Sequence, residues 1–428
     1  MDVNTDTNIH KLTEHFFRQE SGKMVSVLTR IFGPSNLETA EDVVQQTFLD
    51  ALSIWKLNGI PENPPAWIFR VAKNKAIDFI RKNKYLMPVD FSIKERVLLN
   101  SEYTLAATME NLWKEVVIKD DMMRMMFACC HPSISVENQI SLILKILCGF
   151  STSEIAKAFL CPEDTVSKRL YRAKEFFRNE RIKLEIPSST DLGPRTNAVL
   201  NSIYLLFNEG YNSTHAEKLI RQDLIDEAMM LCKLLMTNKH TQLPEVFALM
   251  ALMCFHTARS ASRLTPEGDI ILLPLQDRKK WDRALIEEGN RYMDIAAFGN
   301  QVSSYHLEAA IAYEHCRAES YEKTNWKHIL KLYEWLCKIF PSPVAEMNKA
   351  VAILQVNGAK EALAAIGLIN DQKKIAGFYL YHSLLGDIYF TLKAHALAGK
   401  HLRTALQLTQ SDAEKKMIKN KIAALHAL

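Results

Sequence analysis

The feature that most constrains this chain is how rarely it is punctuated. Its 428 residues include only 14 glycines and 14 prolines, so long stretches lack the residues that most often end a helix. Apolar residues recur at helical spacing throughout, and alternating strand patterns are nearly absent. The pattern predicts an all-α chain. At this length a single core does not suffice, and two to four domains are expected.

The breaks in the pattern divide the chain. A first helical block runs over residues 9–84, and a less patterned connector containing Pro88 over 85–110. A second block covers 111–183. Ile186 to Pro194, with the composition of a linker, leads to a separate helical body over 195–428. Near its end Leu385, Gly386, Tyr389, Ala398, Leu402 and Ala405 fall at the spacing of a tetratricopeptide (TPR) helix pair. Ala350, Ile353, Ala362 and Ile366 repeat the theme more loosely, placing TPR-like repeats at about 344–410. Such stacks usually offer a surface to a partner.

Ser151 to Arg181 reads as a helix, a tight turn at Leu160-Cys161-Pro162 and a second helix. Ser151 or Ser153 is placed to cap the first. The second carries Lys168, Arg169, Arg172, Lys174, Arg178, Arg181 and Lys183 against Glu175 and Glu180. This is the layout of a helix-turn-helix whose second helix enters a DNA major groove. A solvated amphipathic face is the alternative.

In the first block, Ser35-Asn-Leu-Glu38 fits a capping box opening a helix that runs to Trp55. Val44, Phe48, Ala51, Leu52 and Trp55 form its apolar stripe. Glu41, Asp42, Gln45, Gln46 and Asp50 lie off the stripe. The next helix starts at Pro64-Pro65 and carries Arg70, Lys73, Lys75, Arg81, Lys82 and Lys84 against Asp78. Cations hold phosphates, and an aromatic near the helix start, Trp67, is a candidate to stack on an unpaired base.

Composition sets limits. The net charge is only +4, so affinity for nucleic acid must come from local patches. Eight cysteines without a C-x-x-C pair or zinc spacing read as small core residues of a reducing compartment. The polar N-terminus lacks the apolar run of a signal peptide. The longest uncharged apolar run, Val246 to Phe255, is too short to span a bilayer. A cytoplasmic location without a membrane partner is expected. No nucleotide-binding, hydrolase or metalloprotease motif occurs. His131 beside Cys129 and Cys130 is the nearest approach to a ligand cluster, so no enzyme activity, cofactor or metal is expected. FNEGY (Phe207 to Tyr211), with Arg221 and Asp223 downstream, reads as a pocket or as a buried network that fixes helix ends.

Taken together, AEDVVQQTFLDALSIW (Ala40 to Trp55), PPAWIFRVAKNKAIDFIRK (Pro64 to Lys82) and SEIAKAFLCPEDTVSKRLYRAKEFFR (Ser153 to Arg178) resemble the extracytoplasmic-function (ECF) sigma factors of bacterial RNA polymerase. DDMMRMMFACCHPSIS, YLLFNEGY, LQDRKKWDRALIEEG and PSPVAEMNKAVA resemble the subgroup with a long TPR-like C-terminal extension, thought to replace a separate regulator. The resemblance implies two small helical domains that bind polymerase and DNA, sigma region 2 and region 4, followed by an α-helical extension. It implies core RNA polymerase, gripped at the clamp and flap, and promoter DNA as partners. Asp42, Gln45 and Gln46 would meet the clamp. Trp67, Arg70, Lys73, Asn74 and Arg81 would face the −10 element, with the loop Asn58 to Asn63 cradling a flipped base. That loop is short and proline-rich, a departure that puts its base preference in doubt. Thr165, Ser167, Lys168, Arg169 and Arg172 would meet the −35 major groove. The extension would regulate initiation through an unknown ligand or protein. The rival reading is a one-component helix-turn-helix regulator with a TPR-like sensor, which has no need of the first block.

Overall fold

A computed structural model describes residues 3–82, 109–158, 161–180, 182–187, 189–213, 219–299, 301–370 and 372–426. The connector over 85–108, together with Phe159, Leu160 and Arg181, lies outside them. The fold is all-α: among the described residues the only β feature is one isolated antiparallel bridge, Leu264 to Ile270. The chain divides into two compact units, Met1–Ser202 and Ile203–Leu428.

The first unit begins with the long helix α1 (Val3–Phe32), then α2 (Leu37–Asn58) and α3 (Pro64–Lys82). Phe17 packs edge-on against Phe48, Phe16 against Trp55, and Phe32 against Phe79, locking the three helices around a common core. Gly33, at φ 88°, and a 3-10 turn over Pro34–Asn36 redirect the chain, so α2 starts at Leu37. The expected Ser35–Glu38 capping box does not form. Asn36 flanks the helix start without a side-chain cap, and Asn36 Nδ2 donates instead to the Phe32 carbonyl at 2.7 Å.

The same unit continues with α4 (Glu115–Cys129), α5 (Val136–Ile146), α6 (Thr152–Ala158) and α7 (Glu163–Asn179). Met122, Met123, Met125, Met126 and Phe127 of α4 are buried, and α4 packs against α1. Seven of the eight cysteines are buried and Cys161 half-buried, all as free thiols. His131 leans on Phe176, ring centroids 5.1 Å apart, and its Nδ1 accepts from the Ser133 amide. Among the described residues no group of three or more His, Cys, Asp or Glu side chains is arranged to hold a metal ion.

α8 (Ser189–Tyr211) contains the division between the units. The second unit then builds α9 (Gln222–Met236), α10 (Pro244–Thr257), α11 (Arg283–Ala296) and α12 (Ser304–Arg317). The apolar run Val246–Phe255 lies in α10, which packs against α9, α11 and α12; apart from half-buried Phe247 it is buried throughout. A helix apolar on every side belongs at the centre of a bundle. In the FNEGY segment Phe207 is buried, Ser213 Oγ donates to Glu209 Oε1 at 2.8 Å, and the Arg221 amide donates to the Gly210 carbonyl at 2.7 Å. The motif is thus a hydrogen-bonded helix end.

Helix pairs follow: α13 (Trp326–Ile339) with α14 (Pro343–Val356), α15 (Ala359–Gly367), α16 (Tyr379–Thr391) with α17 (His395–Leu408), and α18 (Asp412–His426). Gly386 of α16 sits where a Cβ would lie 2.7 Å from the Leu402 side chain. With Ala398 and Ala405 fully buried, this is the close crossing that the small-residue spacing predicts. Among the described residues no helix is long and apolar enough to cross a membrane.

Candidate polymerase and promoter interface

The residues of helix α2 fall into three groups by what they meet. Val44, Phe48, Ala51 and Trp55 are buried in the core, as the stripe predicts, with Leu52 half-buried. A second group, Glu38 and Glu41, pairs with cations of α7. The third, Asp42, Gln45 and Gln46, is open to solvent, with Gln46 Nε2 donating to Asp50 Oδ1 at 2.9 Å. Leu49, 54% exposed, shares that surface, and Leu57 at the helix end is 78% exposed. Sequence reading did not single out these leucines. The available signal was a leucine falling off the apolar stripe among polar neighbours.

Helix α3 opens at Pro64, and Asn63 Oδ1 accepts from the Ala66 amide at 3.1 Å. Trp67 is half-buried, its ring 5.6 Å from that of Trp55 in an edge contact. Phe69 packs perpendicular to Trp113. Arg70, Asn74 and Arg81 are exposed, while Lys73 and Lys75 are half-buried. Lys73 pairs with Glu110, and Lys75 with Asp50 at 2.8 Å. Arg81 reaches Asp78 at 3.7 Å with both side chains in solvent, a contact of little energetic weight. In the preceding loop Gly59 adopts φ 80° with open space where a Cβ would stand, and Ile60 is exposed. Only the left-handed backbone at Gly59 turns the chain from α2 into α3 so tightly.

The helix-turn-helix is formed by α6 and α7. Ser151 caps α6: its hydroxyl accepts from the Glu154 amide at 3.2 Å, and its amide donates to Glu154 Oε2 at 2.8 Å. Val166, Leu170, Ala173 and Phe177 bury one side of α7 against α5 and α6. Ser167, Lys168 and Arg172 are exposed on the helix and Thr165 and Arg169 half-buried. Lys168 pairs with Asp164 one turn earlier, 2.9 Å away in solvent.

The remaining cations of α7 turn elsewhere. Lys174 Nζ lies 2.6 Å from Glu41 and Arg178 Nη2 2.6 Å from Glu38. Arg18 of α1 pairs with Glu154, and Arg30 with Asp121 at 2.9 Å. Burial raises the Asp121 carboxyl to about 6 despite Arg30. Four ion pairs thus tie α1 and α2 to α4, α6 and α7, and Lys174 and Arg178, both counted toward DNA, are committed to carboxylates of α2.

Residues 16–85 match the family model of Sigma-70 region 2 and residues 124–177 that of Sigma-70, region 4. Over 161 residues the chain is 24% identical to the ECF RNA polymerase sigma-E factor of Haemophilus influenzae, covering 37% of this chain and 81% of that protein. The chain is an ECF-type sigma factor.

The sigma factor also shares 33% identity over 394 residues with an uncharacterized protein of Rhizobium meliloti, covering 92% of this chain and 91% of that one, and it belongs to the same family. Residues 195–297 match a family of unknown function, DUF6596. No solved structure matches the chain. The two sigma regions give it a role in transcription initiation, with RNA polymerase and promoter DNA as partners. In this sigma factor the helices named from sequence for the clamp, the −10 element and the −35 element are α2, α3 and α7.

Proposed function

We propose that the sigma factor grips the polymerase clamp through Asp42, Gln45 and Gln46, with Leu49 and Leu57 adding apolar contact. Helix α3, through Trp67, Arg70, Lys73, Asn74 and Arg81, holds the −10 strand, while the loop Asn58 to Asn63 receives a flipped base. Helix α7 enters the −35 major groove through Thr165, Ser167, Lys168, Arg169 and Arg172, in a region 4 that also contacts the flap. The domain limits are those read from sequence: 9–84, 85–110, 111–183 and 195–428. The extension regulates initiation through a ligand or protein of its own.

The observation that carries this reading is the division of α2. Its apolar stripe and the carboxylates of Glu38 and Glu41 are occupied within the protein, while Asp42, Gln45 and Gln46 stand in solvent with exposed Leu49 and Leu57. A one-component regulator has no use for that surface. The decisive experiment mixes the full chain with core polymerase and scores promoter-dependent transcripts. Transcripts are expected, and their loss on charge reversal of Asp42 is the expected signature of the clamp contact. Tight operator binding without transcripts would sink the sigma reading. Removing the residues after Ser202 should change transcript yield; unchanged yield would remove the regulatory role.

A further inference from the structure

The second unit contains a concentration of arginine that none of the contacts above explains. Arg259 and Arg278 both lie over the ring of Trp281, at 5.2 and 4.8 Å from its centroid. Arg263 lies over Tyr211 at 3.9 Å and donates to the Tyr211 carbonyl and to Asn212 Oδ1. His256, at the end of α10, packs 5.0 Å from the same tyrosine ring. His315 of α12 supplies its carbonyl to Arg278. Burial pushes both imidazoles down to about 3, with Arg259 the next largest cause, so both are neutral near pH 7.

The charges around these groups do not balance. Arg278 is satisfied by the carbonyls of His315 and Ala318 and by Thr324 Oγ1, all of them neutral. Arg259 is different: its Nε is buried without a hydrogen-bond acceptor among the described residues. Glu322 acts on Arg278 and Glu414 on Arg263 through charge, without a hydrogen bond to either among the described residues. Glu314 holds Arg317 and His328, Glu322 accepts from Ser320, and Glu414 accepts from Thr409. Arg259 Nε, Trp281 Nε1 and the Nδ1 atoms of His256 and His315 are all buried without a hydrogen-bond partner among the described residues. Buried polar groups in folded proteins are normally paired, and desolvated guanidiniums close together repel unless an anion joins them. Arg259, Arg263, His256 and His315 are each half-buried rather than sealed in the core.

We propose that Arg259, with Arg263, His256 and His315, forms a binding site for a small oxyanion, a phosphate or carboxylate group, in the extension. The guanidinium fork suits either group, and the stacked Trp281 and Tyr211 rings hold the two arginines in place before the ligand arrives. The site lies within the second unit and does not rest on the promoter reading.

The test follows thermal unfolding of the full chain against inorganic phosphate and, separately, malonate, with sodium chloride at matched ionic strength as the control. A saturable rise in midpoint with one of the two oxyanions and not with chloride is expected, and the responding arm identifies the group. Arg259→Gln should weaken binding by about 10-fold or more, the loss of a charge-assisted contact. In the unsubstituted protein the bound anion should protect Arg259 from phenylglyoxal, read by peptide mass spectrometry, while exposed Arg317 stays reactive. No saturable response to either oxyanion, an Arg259→Gln protein that titrates like the parent, or equal labelling of Arg259 with and without anion would each overturn the proposal.

Discussion

Lys174 Nζ of α7 stands 2.6 Å from Glu41 Oε2 of α2, with the two side chains only 19% and 10% exposed. Burial pushes the Glu41 carboxyl upward, and Lys174, followed by Lys145, opposes the shift without cancelling it. An ion pair of this kind contributes more to register than to net stability. It joins α7 to α2, while Ser167, Lys168 and Arg172 stay exposed.

Breaking this pair should be asymmetric. Lys174→Ala leaves Glu41 buried beside a weaker cation, at a cost of about 3 kcal/mol near neutral pH. Glu41→Gln frees Lys174 to extend into solvent and should cost under about 1 kcal/mol. Because the folded-state pKa of Glu41 is raised, its contribution is most favourable in acid and declines as pH rises through that value. The Lys174→Ala deficit should therefore shrink as pH falls. Urea melts at pH 5 and pH 8 measure both effects, and a costlier Glu41→Gln would refute the assignment.

Gly22 of α1 lies where a Cβ would stand 2.1 Å from the Leu147 carbonyl oxygen. Alanine normally stabilises a helix interior over glycine by roughly 0.5–1 kcal/mol. Here the obstacle is backbone, so Gly22→Ala should destabilise the first unit by about 2 kcal/mol or more. Differential scanning calorimetry of the full chain reads the sign directly.

Glu154 joins the cap of α6 to Arg18 of α1. Burial alone would raise its carboxyl, but the bonds from Arg18 and from the Ser151 amide and hydroxyl outweigh it and hold the group at about 2. A lowered carboxylate pKa gives stability that is present above the ordinary carboxylate range and lost as pH falls through the folded value. Solvent reaches part of the pair, so Glu154→Gln should cost only about 1–2 kcal/mol at pH 7. The deficit should fade as pH approaches 2, and a constant gap across an acid titration would count against this linkage.

On DNA, the exposed residues of α7 should separate by role. Arg172→Ala should cost about 1–3 kcal/mol and relax preference at one −35 position if it reads a base. Lys168→Ala should weaken all sequences alike and lower the salt slope by about 1, as a phosphate contact does. Fluorescence anisotropy with the polymerase complex over a salt series measures both. An Arg172→Ala loss of equal size on every promoter variant would move that residue to the phosphate group.

Much of this was legible in sequence because it is local. The helical spacing of Val44, Phe48, Ala51 and Trp55 announces a buried stripe, and all four are buried. Ser151 with Glu154 announces a cap. The failure at Ser35 is also instructive: the positive φ of Gly33 and the turn through Pro34 shifted the helix start beyond the hydroxyl. Trp67 read as an open aromatic at a helix start, and only the packed neighbour Trp55 reveals one edge already occupied.

The sequence by itself determined an all-α chain with its helix-turn-helix and basic helices, since periodicity, caps and charge counts act within a turn or two of helix. The resemblance of three segments pointed to the sigma regions and to the candidates on α2, α3 and α7. Tertiary structure alone decided that Lys174 and Arg178 belong to Glu41 and Glu38. It alone gathered Arg259, Arg263 and Arg278 with His256 and His315, and left Arg259 Nε buried without an acceptor among the described residues. Electrostatic pairing depends on distance and burial in space, and residues far apart along the chain carry no spacing signal that announces it.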